Sequence, residues 1–188
     1  MDRHGRAVIG YNVNETNPVG SCVPLTISQS SARLYLSVLH TLELDDSETF
    51  LTTSKSTYTL QEDDDTSSIL TYDFVREPPN PFPAAHIHVH GESDVLVRML
   101  RASGRDKSKT ADLHLPVGGR RFRPCLEDII EFCVLERLVT PRDGWPQALD
   151  KSRGEYLDQQ LRAAVHRNPA RAAEALRRDG WHVREPDV

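Results

Sequence analysis

The chain has 188 residues, a formal net charge of −5 and 38% hydrophobic side chains, which fits one soluble domain, or one with a small appendage, and a real core. The charge excludes a globally polybasic nucleic-acid binder. Its distribution is uneven, at −8 for residues 1–92 and +3 for residues 93–188, which leaves room for a local basic face in the second half.

No apolar run approaches the ~20 residues that span a bilayer, and residues 1–17 lack the apolar stretch of a secretory signal, so a cytoplasmic location with no membrane partner is expected. Cys22, Cys125 and Cys133 are odd in number and fit no metal-knuckle spacing, which reads as reduced thiols. Residues 1–20 carry turn formers (Asn12, Asn14, Asn17, Pro18, Gly20) and are expected as an irregular arm.

From residue 21 to about 117 the pattern is β. Strands are predicted at 23–27, 34–38, 50–53, 58–60, 69–75, 86–90, 95–100 and 113–117, with a Ser/Lys turn between 53 and 58. The acidic run 62–65 reads as a solvated loop, because a calcium loop would need ligands spaced through a longer turn. Residues 101–112 read as a polar hairpin loop.

After Gly119 the period changes. Pro124 suits the first turn of a helix, Glu127 and Asp128 suit its positive end, and Leu126, Ile129, Ile130, Cys133 and Leu138 recur at helical spacing, so a buried helix is predicted over 124–139. Pro141 and Gly144 end it. Two Ala/Arg-rich helices are expected at 154–166 and 169–178, the last stopping at Gly180. The expected architecture is α+β: an antiparallel sheet or half-barrel packed on a helix (21–140), with a helical appendage (141–188).

Residues 83–92 (PAAHIHVHGE) hold three of the chain's eight histidines at alternate positions. On a strand, Ile87 and Val89 point into the core and His86, His88 and His90 line the other face. Such a face suits two chemistries. Neutral imidazoles two apart converge on a divalent transition ion such as zinc, with Glu92 and His114 as further ligands. The spacing of His86, His88 and Glu92 resembles the first motif of the cupin family, with Met99 where that motif has glycine. Alternatively, histidines near neutrality give and take protons without a metal, as RNA cleavage requires, with Arg76, Arg120, Arg121 or Arg123 balancing the phosphate charge.

Residues 117–125 (VGGRRFRPC) are a second candidate. Gly118 and Gly119 allow a tight turn at a helix start, Arg120, Arg121 and Arg123 suit phosphate, and Phe122 offers a stacking ring. Cys125, at the helix start, is a candidate for a lowered pKa.

Residues 71–76 (TYDFVR), the prolines at 78, 79, 81 and 83, His86 and His88, and the closing helix together resemble the TumE-like toxins of bacterial toxin–antitoxin pairs, over about 68–139. The resemblance implicates Tyr72, Asp73, His86 and His88. It implies a growth-inhibiting, RNA-directed activity and an antitoxin-like protein partner. Three classes therefore stand: a toxin-like phosphodiester-processing protein, a metal-binding enzyme or sensor, and a non-catalytic subunit of a larger assembly.

Overall fold

The computed structural model describes residues 5–25, 34–45, 48, 50–62, 68–102, 109–112, 115–117 and 123–184. The chain divides into two compact units, Met1–Pro141 and Arg142–Val188.

The first unit contains strands β1 (Ala7–Gly10), β2 (Val23–Leu25), β3 (Leu34–Leu44), β4 (Leu51–Gln61), β5 (Ser68–Val75), β6 (Ala85–Val89) and β7 (Leu115–Pro116), with helices α1 (Asp94–Ala102) and α2 (Leu126–Leu135). The strands form one antiparallel sheet in the order β1-β3-β4-β5-β6-β7. β4 follows one edge of β3, and β1 and β2 divide the other, β2 against residues 34–36 and β1 against residues 39–42. The α+β architecture expected from the sequence is therefore present, with α2 packed on the sheet.

One face of the sheet carries the core. Leu34 and Leu36 of β3 and Tyr58 and Leu60 of β4 cluster with Ile129 and Cys133 of α2, and Val38, Leu70, Tyr72, Leu126 and Phe132 pack around them. Residues of one face alternate along each strand and meet their cross-strand partners on that face, so Leu36–Leu60–Leu70 and Val38–Tyr58–Tyr72 form continuous rows under α2.

α2 begins where Cys125, in extended conformation, caps it; the Cys125 N–H donates to Asp128 Oδ2 at 2.9 Å, so an acidic residue of the first turn satisfies a donor there. It ends earlier than 139. Arg137 takes φ +59°, and the Leu138 and Val139 N–H groups turn back to the Cys133 carbonyl at 2.9 and 3.2 Å, a left-handed stop that satisfies an end carbonyl.

Five further expectations are corrected. The arm at 1–20 contains β1, whose alternation is too short to stand out among turn formers. Residues 50–60 are not two strands about a turn: β4 runs through, and Ser54 is an extra residue between the pairs Thr41–Lys55 and Leu42–Thr53. Its carbonyl accepts from the Arg76 N–H at 2.9 Å, so the Ser/Lys signal marks a β-bulge.

Residues 95–100 are helical. Their apolar run satisfies either period; Asp94 in the first turn and Arg101 in the last suit the helix dipole, and Val97 N–H donates to Ser93 O at 2.8 Å. The loop expected at 101–112 begins with the end of α1 and closes with a 3-10 turn, Thr110–Asp112; residues 103–108, 113 and 114 lie outside the described set, as does most of the acidic run 62–65.

The second unit holds α3 (Trp145–Arg167) and α4 (Pro169–Arg178). α3 starts well before residue 154, since Gly144 takes φ +78° and a proline follows in its first turn. Among the described residues, no helix is long and apolar enough to cross a membrane.

Candidate metal centre

β5 and β6 build the candidate site. Ile87 stands opposite Tyr72, and Val89 opposite Leu70, so these two apolar residues of β6 share the α2 face. His86 and His88 point to the other face, where His86 pairs with Asp73 and His88 with Thr71. The alternation read from the sequence thus holds in the fold.

Asp73, His86 and His88 converge. Each offers one ligand atom, and these atoms lie within 4.8 Å of one another. His86 is 6% exposed, and the His88 and Asp73 side chains are 18% and 20% exposed. The two rings meet edge to face, with centroids 5.0 Å apart.

Each of the three is held from behind. His86 Nδ1 lies 2.7 Å from the Pro83 carbonyl, and His88 Nδ1 lies 2.8 Å from the Ala111 carbonyl. A carbonyl oxygen only accepts, so both Nδ1 atoms must donate. In the neutral ring the lone pair then resides on Nε2, as in imidazoles oriented to ligate a metal. On the neighbouring strand, Thr57 Oγ1 donates to Asp73 Oδ1 at 2.7 Å, which orients the carboxylate. His88 Nε2 lies 3.8 Å from Asp73 Oδ2. That is too long for a hydrogen bond and about half an ångström more than the roughly 3.3 Å between two donors on one tetrahedral zinc ion. Electron-rich atoms gathered this closely repel unless a cation or protons lie among them.

His90 stands at the margin. Its Nε2 is 3.0 Å from Thr71 Oγ1 and its ring centroid is 6.5 Å from that of His88. Burial, and then the neighbouring His88, hold its pKa below the usual histidine value, against an opposing pull from Asp73. Among the described residues, the ligand grouping contains neither His90 nor Glu92. Glu92 is exposed and follows Gly91, after β6 has ended. The described grouping thus differs from the ligand set expected from the sequence: Asp73, known beforehand only through the toxin resemblance, stands with His86 and His88. His114 lies outside the described residues.

Tyr72 and Arg123 do not join this face. Tyr72 packs against the α2 cluster, and burial, then Cys133, pushes its pKa up. Tyr72 and Asp73 are sequence neighbours, and on a strand neighbours face opposite ways. Arg123 lies over the Phe74 ring at 5.7 Å and is near enough to His40 to help lower that histidine's pKa; both contacts belong to the α2 side. Gly118, Gly119, Arg120 and Arg121 lie outside the described residues.

Arg76 is tied to β4, donating to the Thr53 carbonyl from Nε at 3.0 Å and Nη2 at 2.9 Å, and to Thr52 Oγ1. Cys125 reverses its expectation: burial pushes the thiol up to about 12, outweighing the helix start and disfavouring the thiolate.

Sequence reasoning missed both supports supplied from a distance, Thr57 and Ala111. Comparison of the chain with models of known families, with curated proteins and with solved structures finds no match in any of the three.

Proposed function

We propose that Asp73, His86 and His88 hold one divalent transition ion and that the protein is a metal-dependent enzyme of the hydrolytic class. One observation carries the reading: two imidazoles and a carboxylate converge, and each is oriented by its own hydrogen bond. Two nitrogens and one oxygen suit zinc with an open fourth position, or iron(II) with three open positions. At an open position such an ion would acidify a bound water and polarise a phosphoryl oxygen. The protein's own part is to fix the donors, and Thr57 and the two carbonyls do that.

The substrate class we put forward first is an RNA phosphodiester, which the toxin resemblance implies. Metal-free acid–base catalysis is the weaker reading, since among the described residues the candidate arginines, Arg76 and Arg123, are engaged elsewhere.

The test is elemental analysis of the untagged protein beside His88→Ala, followed by RNA cleavage with and without a chelator. Near one equivalent of metal, lost in the variant, with chelator-sensitive cleavage, is expected. Metal-free protein whose cleavage survives chelation and fails in His88→Ala would replace this reading with acid–base catalysis. Neither metal nor cleavage would leave a non-catalytic binding module.

A further inference from the structure

We propose that the turn closed by Lys109 and Asp112 is the positioning element of this centre, and that Asp112 is the residue that sets it. The inference rests on the metal reading above. The two imidazoles are anchored in different ways. His86 is held by Pro83, three residues upstream on the same approach to β6. His88 is held by Ala111, 23 residues further along the chain, so its orientation depends on a separate segment being in place.

That segment is built for the task. Asp112 N–H donates to the Lys109 carbonyl at 3.0 Å, and Lys109 N–H donates to Asp112 Oδ2 at 3.0 Å. These two bonds close the loop around Thr110 and Ala111 and fix the direction of the Ala111 carbonyl. The loop is seated, because Thr110 is only 8% exposed. Among the described residues the Thr110 hydroxyl has no hydrogen-bond partner, so the seat comes from the turn's shape and packing. With the Asp112 carboxylate gone, the Lys109 N–H loses its acceptor, the Ala111 carbonyl is free to turn, and His88 is no longer committed to donating from Nδ1. Loss of such an outer partner costs about 10–100-fold in metal affinity.

The experiment is a titration of the chelator-stripped full chain with cobalt(II), read by its visible absorption and by competition with a chelator. Wild type, Asp112→Ala, Asp112→Asn and His88→Ala are compared. Asp112→Ala is expected to weaken cobalt binding about 10–100-fold and to alter the absorption band. Asp112→Asn keeps an oxygen that accepts from Lys109 and is expected to restore both; a general effect of lost negative charge would not be restored.

Asp112→Ala with wild-type affinity and spectrum, while His88→Ala has lost binding, overturns the positioning role and leaves the centre standing. A wild type that binds no cobalt overturns both. If Asp112→Ala does not fold, hydrogen exchange of the wild type decides. Coupling is reciprocal, so cobalt is expected to slow exchange at the Lys109 and Asp112 amides, and unchanged exchange there refutes the proposal.

Discussion

Thr57→Val isolates one contact of the centre. Valine keeps the shape of threonine and removes only the hydroxyl that donates to Asp73 Oδ1 at 2.7 Å. A hydrogen bond to a charged group contributes about 1.5–3 kcal/mol. The Asp73 side chain is 20% exposed, so partial solvation puts the expected loss near the lower end, about 1.5–2 kcal/mol. For a chain of this size that lowers Tm by about 3–8 °C. Metal affinity is expected to fall about 10–100-fold as the carboxylate loses its orientation.

The assay is thermal unfolding of the chelator-treated protein by circular dichroism, with metal affinity measured by competition. Thr59→Val is the control: it lies two residues along the same face, but its cross-strand partner is Thr71 rather than Asp73. If Thr57→Val melts and binds metal as the control does, the bond does not hold Asp73 and the site's construction has been misread.

Three other outcomes follow from the core. Ile129, 1% exposed under α2, is expected to cost about 2–5 kcal/mol when cut to alanine, read as a lower urea midpoint; a loss under about 0.5 kcal/mol would deny α2 its place in the core.

His40 packs edge-on against Tyr58 at 5.4 Å, and burial, then Arg123, holds its pKa below 6.5. The neutral ring is thus favoured in the fold, so its contribution is complete above pH 6.5 and shrinks as pH falls toward the depressed folded value. Urea midpoints from pH 7.5 to 5 are expected to fall less steeply in His40→Phe, and parallel curves would refute this.

Burial pushes the Cys125 and Cys133 thiols up to about 12 and about 11, so at pH 8 a thiol reagent is expected to label half-buried Cys22 first. All three labelling at one rate in the native protein would contradict the burial.

How much of this was legible depended on range. The alternation of Ile87 and Val89 with three histidines is local, and it set the faces of β6 correctly. So is the helical spacing of Ile129 and Cys133. Asp73 as the partner of His86 is not local, because register between strands is decided by the whole sheet. The Ser54 bulge looked like a turn, since one extra small polar residue carries the same composition as a reversal. Residues 95–100 satisfied two periods at once, and the acidic and basic ends that decide for a helix lie at its margins. The Ala111 carbonyl had no signal at all, because every residue but its conformation would offer the same oxygen.

All three proposed ligands belong to one hairpin, β5–β6, between residues 73 and 88. Closing that hairpin brings the donors together at the small entropic cost of a short loop, before the first strands of the chain need add to the sheet. Yet the hairpin does not carry its own scaffolding: Thr57 comes from the strand before it and Ala111 from the turn after it. Excised or transplanted alone, it would bring the donor atoms without the two contacts that aim Asp73 and His88. Donor identity is thus separable from donor aim in this chain, the first encoded in a single contiguous segment and the second shared with the strand before it and the turn after it.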